Sequence, residues 1–243
     1  MSDIKAIQTE YDGHNFRSRM EARWAVFFNA GNIRYLYEVE GFCLRDGSRY
    51  LPDMYLPDFD TFVEVKRNTS DGINEIEKLS NTLIEWGGPI KRLLVLSDIP
   101  VGKSPDGGLW HFPMLYWHDD RAVWGWAYFF DWFDGESVSL GVPADIGSAN
   151  WLWRSKPKTA TLGPMTDFAF RPEQRKRAFA ETPSLNALIK EQMAMNEKTF
   201  RAYSLARAAR FEYGETPPTA AEFKKIMAEK IRQEDEGKWE PPL

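Results

Sequence analysis

The 243 residues are 43% hydrophobic and 28% charged, apolar enough to bury a core without covalent staples and too apolar for a wholly disordered chain. One cysteine, Cys43, excludes an internal disulfide and a multi-cysteine zinc cluster, and is expected to be a small buried side chain. A formal net charge of -5 provides no long-range pull on phosphate, so any nucleic-acid partner must be held locally. The start, Met1-Ser2-Asp3-Ile4-Lys5, lacks a basic segment followed by an apolar run, and no stretch of about 18 apolar residues occurs. Secretion and membrane spanning are disfavoured, and a cytoplasmic location is expected.

A first helix is predicted from a cap at Asn15 through Met20, Trp24, Phe27 and Phe28, which recur at helical spacing, to a stop at Gly31. Strands are expected at 34–40, 49–55 and 61–66, separated by Asp46-Gly47 and by Pro57-Asp58-Phe59-Asp60. A second helix starts near Ser70 or Asp71, runs through Ile73, Ile76, Leu79, Leu83 and Trp86, and ends at Gly87-Gly88-Pro89. Strand 92–97 is short and apolar enough to be buried on both faces. The order is α, three β, α, β.

From Leu109 to Val142 aromatic-rich strands read as a β-meander continuing the sheet, with turns at His118-Asp119-Asp120 and Asp134-Gly135. Core packing is the expected role of these aromatics, base stacking the alternative. Three prolines within 154–172 mark a linker or wrapping loop. One helix follows from a Ser184 cap to about Tyr213, and another opens with Thr219 and Glu222 at capping-box spacing. From about Glu234 the chain is polar and expected to fray. The parts are a core at 1–100, a Trp-rich β extension at 101–153, a linker at 154–183 and C-terminal helices at 184–243.

The chemically informative run is Tyr50-Leu51-Pro52-Asp53, then, ten residues on, Glu64-Val65-Lys66. An acid-x-Lys tripeptide is common, and Glu222-Phe223-Lys224 and Glu236-Gly237-Lys238 repeat it. Glu64-Val65-Lys66 differs because it ends the β-forming run Thr61-Phe62-Val63. Strand alternation puts Phe62, Glu64 and Lys66 on one face and Val63 and Val65 on the other. A hairpin turning between Asp58 and Phe59 would pair Tyr55 with Phe62, Asp53 with Glu64 and Leu51 with Lys66. Two carboxylates about 5 Å apart at Cβ are destabilising unless something positive lies between them. Oxygen ligands without histidine or thiolate favour Mg²⁺ or Mn²⁺, the equipment of phosphodiester hydrolysis, with Lys66 placed to orient a water and offset developing charge. Glu21, on the rim of the first helix's apolar stripe, could either pair with Arg17 at i,i+4 or reach over the sheet toward Asp53 and Glu64.

At these residues the chain resembles the PD-(D/E)XK nuclease superfamily, whose restriction-endonuclease-like αβββαβ core surrounds a mixed sheet. The runs Arg17-Ser18-Arg19-Met20-Glu21-Ala22-Arg23-Trp24 and Tyr37-Glu38-Val39-Glu40-Gly41-Phe42 also look like small nuclease-like proteins encoded by bacteriophages. The resemblance covers roughly residues 11–100, with a weaker echo at 207–215. It implies an α/β (α+β) fold, Asp53 and Glu64 as metal ligands, the Val65 carbonyl as a further ligand, Lys66 as the water-activating lysine and Glu21 as the first-helix acid. The activity implied is Mg²⁺-dependent cleavage of DNA, in a bacterial host's cytoplasm if phage-encoded. An inactive nuclease-fold DNA-binding or assembly protein and an RNA nuclease are the alternatives. Paired cutting would favour a homodimer.

Arg17, Arg19 and Arg23 share the first helix but spread around it, so they cannot all serve one groove. Lys190, Lys198, Arg201, Arg207 and Arg210 give the later helix a basic bias, read as a solvated face or a DNA-backbone contact. Glu38 and Glu40 are expected in solvent, and Asp58 and Asp60 in turn chemistry. His14, His111 and His118 lack ligand-like spacing.

Overall fold

The computed structural model describes residues 6–44, 47–70, 73, 76, 90–104, 109–118, 121–131, 138–143, 151–153, 196–212 and 215–235. A hairpin precedes the first helix: β1 (Thr9–Tyr11) pairs antiparallel with β2 (His14–Phe16) across Asp12 and Gly13, at φ of 50° and 78°. Asn15 therefore lies in a strand and does not cap the helix. Ser18 is the N-cap of α1 (Arg19–Ala30), accepting the Glu21 N–H on its hydroxyl.

The far end of α1 closes by a Schellman motif, with Ile33 N–H on the Phe28 carbonyl at 2.7 Å and Asn32 N–H on that of Asn29 at 3.1 Å. Asn32, not Gly31, takes the left-handed conformation, at φ 56°. Gly31 serves close approach instead, since a Cβ there would stand 3.1 Å from the Val138 side chain.

The predicted strand at 34–40 shortens to β3 (Leu36–Tyr37), because Glu38 turns to φ 44°. That at 49–55 breaks in two. Arg49–Tyr50 forms β5, paired with β4 (Phe42–Cys43) in a small hairpin turned by Gly47 at φ 82°, and β6 (Met54–Leu56) resumes after Pro52, which has no N–H for a ladder. After β6 come the turn at residues 57–60, β7 (Thr61–Val65), helical residues Thr69, Ser70, Ile73 and Ile76, and β8 (Arg92–Leu96). The remainder of the expected second helix lies outside the described residues.

The meander follows as β9 (His111–His118), β10 (Arg121–Asp131) and β11 (Val138–Pro143), with β12 (Trp151–Trp153) on its outer edge. The fold is α+β, with one eight-stranded mixed sheet in the order β12-β11-β10-β9-β8-β7-β6-β3. Among the described residues every pairing in it is antiparallel except β7 with β8. The expected linker and the Ser184 cap fall outside the described residues. Beyond them lie α2 (Glu197–Ala208) and α3 (Ala220–Asp235), the latter opened by the expected Thr219–Glu222 box, with Glu222 Oε2 accepting the Thr219 N–H at 2.7 Å.

The sheet separates two apolar layers. Under the helices, Trp24, Phe27 and Phe28 of α1 pack with Tyr203 of α2, Phe223 of α3 and the inward strand residues Met54, Val63, Leu94, Met114 and Phe129. On the other face Leu44, Ile76, Ile90, Leu93, Val95 and Leu115 cluster with Phe42, Tyr50 and Phe62. Successive residues of β8 enter opposite layers, so this strand is buried on both faces. Trp24 Nε1–H donates to the Ser97 carbonyl at 2.7 Å, fastening α1 to the end of β8. Among the described residues no helix is long and apolar enough to cross a membrane.

Candidate active site

The observed register of β6 on β7 is Met54 with Val63, Tyr55 with Phe62 and Leu56 with Thr61, as the turn predicts. Pairing stops there, and neither Asp53 with Glu64 nor Leu51 with Lys66 forms a ladder pair. The Asp53 side chain takes over, accepting the Val65 N–H on Oδ2 at 2.7 Å, while the Lys66 N–H bonds the Leu96 carbonyl at 2.8 Å. Val63 and Val65 enter the layer under α1 and Phe62 the opposite one, so alternation assigns Glu64 to the Phe62 face.

Asp53 and Glu64 are only 7% and 6% exposed. Glu64 Oε1 faces the Lys66 ammonium at 3.0 Å, and Oε2 accepts the Tyr50 hydroxyl at 2.6 Å. Asp53 Oδ1 lies 3.4 Å from the Arg17 guanidinium, whose Nε is 2.5 Å from Glu38. Burial first, and then the charge of Glu64, push the Asp53 carboxyl up to about 8, with Val65 N–H and Arg17 opposing and Glu21 adding to the rise.

Glu21, 5% exposed, is neither the i,i+4 partner of the Arg17 side chain nor free to swing over the sheet. Its carboxylate accepts the Ser18 hydroxyl at 2.7 Å, the Tyr37 hydroxyl at 2.9 Å and the Arg17 N–H at 3.2 Å. It is the acid of a capping box, and its charge still reaches Asp53.

The site thus gathers Asp53, Glu64, Lys66 and Arg17, with Glu21 at its border. Tyr50 and Tyr37 join it without having been expected. Among the described residues no three His, Cys, Asp or Glu side chains form a metal-holding group. Two buried carboxylates, one of them raised to about 8, nevertheless make an oxygen-only donor set. Such a set suits a hard divalent ion. Val65 sends its N–H toward Asp53, and in a strand the carbonyl of the same residue points to that edge too.

Among the described residues, the other basic candidates stand outside this cluster. Arg19 pairs with Glu212, Arg207 donates to the Ile99 carbonyl at 3.1 Å, and Arg210 stands 4.0 Å from Glu215. Arg201 is exposed, the Lys198 N–H bonds Asp131, and Lys190 is outside the described residues. Contrary to expectation, Cys43 is exposed, on a two-residue edge hairpin, and Glu38 is half-buried by Arg17. Asp60 does serve the turn, at φ 48°, bonded by Tyr55 and Lys91. His14 packs against the rings of Phe16, Tyr35 and Tyr37, and His111 against Tyr128.

A cavity of about 610 Å³ lies apart from this cluster, lined by Asp12, His14, Asn29, Tyr35, Asp58 and Lys224 among others. None of Asp53, Glu64 and Lys66 borders it. No protein-family model matches the chain, and no curated protein or solved structure does so either.

Proposed function

We propose that the protein is a metal-dependent nuclease that hydrolyses DNA phosphodiester bonds, built on a restriction-endonuclease-like core. The observation that carries this reading is the burial of Asp53 and Glu64 together where β6 and β7 part, with the Lys66 ammonium on Glu64. With the separate β4–β5 hairpin set aside, the order α1, β3, β6, β7, helical residues, β8 supports it, as does the parallel pairing of β7 with β8.

In this reading Asp53, Glu64 and the Val65 carbonyl would hold Mg²⁺ or Mn²⁺. When bound, such an ion polarises a phosphoryl oxygen and acidifies a water. The chain's own residues do the rest. Lys66 sets a cation beside the carboxylates, where it can orient water and offset charge developing on phosphorus oxygens. Tyr50 fixes the second oxygen of Glu64, and Arg17 holds Asp53 against Glu38. Glu21 keeps the first turn of α1 and Tyr37 in place.

The test is incubation of the purified protein with plasmid, linear, single-stranded and branched DNA and with RNA, in Mg²⁺, Mn²⁺ or chelator. Ion-dependent cutting of DNA is expected, lowered on the order of a hundredfold or more in Glu64→Gln and in Lys66→Ala. Cutting unchanged in both variants overturns the assignment, and cutting of RNA alone redirects it.

A second reading rests on Arg17 and Lys66, which already give each carboxylate a cationic partner without any ion. A catalytically silent DNA-binding protein of the same fold would bind DNA in chelator and cut nothing in either ion.

A further inference from the structure

Arg19 and Arg23 stand one helical turn apart on α1, on the side opposite Glu21. Arg207 approaches them from the last turn of α2, tied by its guanidinium to the Ile99 carbonyl at 3.1 Å. The charges of Arg19 and Arg207 both act on Arg23, as do those of Glu212 and Asp98. Glu212 is already engaged by Arg19. The Arg23 side chain makes no hydrogen bond or ion pair with the described residues, and its Nε is buried without a partner. A half-buried guanidinium with unused donors, beside two like charges, is unfavourable unless an anion completes it. Burial, and then Arg19 and Arg207, hold its pKa below the ordinary arginine value.

The place of this cluster gives the anion a meaning. Ser97, Asp98 and Ile99 run on directly from β8, whose Leu96 carbonyl accepts the Lys66 N–H at 2.8 Å. Neighbouring strands lie about 5 Å apart, so the arginines and Lys66 share one end of the sheet. They stand toward different layers: Glu64 and Lys66 lie on the Phe62 face, and Arg23 lies on the helix side with the Arg207 charge of α2.

We infer that Arg23, Arg19 and Arg207 form a receptor for one backbone phosphate of a nucleic acid, at the end of the sheet that carries Asp53, Glu64 and Lys66. The planar fork of a guanidinium fits phosphate oxygens in pairs, as a lysine's point charge does not. The placement beside a cleavage site rests on the nuclease reading; the phosphate receptor does not.

Two measurements on the full chain test it. In thermal unfolding, inorganic phosphate raises the Tm of the wild type above that in chloride of matched ionic strength. Arg23→Gln loses that extra rise, and without phosphate it melts no lower than the wild type. In the second, a labelled DNA duplex is titrated in chelator against Glu64→Gln alone and against Glu64→Gln with Arg23→Gln or with Arg207→Gln. Each arginine change lowers affinity by about tenfold and reduces the slope of log K on log salt by about one. Equal phosphate response and equal DNA affinity in the arginine variants overturn the inference. So does an Arg23→Gln protein that melts lower in phosphate-free buffer, since Arg23 then has its partner within the chain. Neither readout involves cutting. Failure of the cleavage assay with Arg23-dependent binding intact sinks only the nuclease reading, and the converse sinks only the receptor.

Discussion

Asp53 Oδ2 accepts the backbone N–H of Val65 at 2.7 Å, so a side-chain carboxylate replaces a ladder carbonyl where two strands part. The same carboxylate is buried beside Glu64 and is held to Arg17 through its other oxygen. Its protonation therefore couples strand geometry to any ion the site accepts.

Stability in chelator should fall as pH rises from about 4 to about 8, because the folded protein keeps a proton on Asp53 over that interval and the unfolded chain does not. The contribution is fully present below the unfolded value of 3.8 and is lost through the folded value near 8. Asp53→Asn should flatten this part of the profile in thermal or urea unfolding at several pH values. Added Mg²⁺ or Mn²⁺ should stabilise the wild type more at high pH than at low, since ligation needs the ionised form. An ion effect independent of pH would contradict the coupling.

Glu64→Gln should lower the pKa of Asp53, because it removes the second-largest cause of the rise while leaving burial in place. Carboxyl NMR titration of the labelled protein reads this directly. Lys66→Met should destabilise the fold by about 1–3 kcal/mol, leaving Glu64 buried with the Tyr50 hydroxyl as its remaining partner among the contacts described above. Combining the two substitutions should recover much of that loss.

Glu21→Ala should cost about 1–2 kcal/mol in urea unfolding, since it leaves the Ser18 cap in place but removes the carboxylate that accepts from the Ser18 hydroxyl, the Arg17 N–H and the Tyr37 hydroxyl. Glu21→Gln keeps most of these bonds and should reduce ion-dependent cutting far less than Glu64→Gln. Equal loss of cutting in the two glutamine variants would return Glu21 to the ligand set.

Asp131 holds α2 from outside the helix: its carboxylate accepts the Thr199 N–H at 2.7 Å, the Thr199 hydroxyl at 2.6 Å and the Lys198 N–H at 2.9 Å. Its own N–H donates to the Asn196 side chain at 2.7 Å, which is why Asn196 does not cap α2 itself. Asp131→Ala should cost about 2 kcal/mol and raise amide exchange in α2 more than in α1. Uniform exchange would show that α2 is held by its apolar face alone.

Several elements whose bounds differ from expectation carry local signals in the chain. Ser18-Arg19-Met20-Glu21 has capping-box spacing, and Asp12-Gly13 is a hairpin dipeptide; together they identify β1, β2 and the true start of α1. Pro52 marks the break between β5 and β6. Nothing local marks Tyr50 as a partner of Glu64, because its hydroxyl arrives on a hairpin folded over the sheet face.

Local order was legible in the chain because backbone periodicity and turn chemistry act over a few residues. The alternation along β7, the β6–β7 register and the double burial of β8 are of this kind. The pairing of Arg17 with Asp53, 36 residues apart, and the approach of Arg207 to Arg23 are of another. They follow from where α1 and α2 come to rest over the sheet, which is set by the sum of many apolar contacts around Trp24, Phe27 and Tyr203. Such a sum has no signature at any one position, so charge partners across layers emerge with the packed fold.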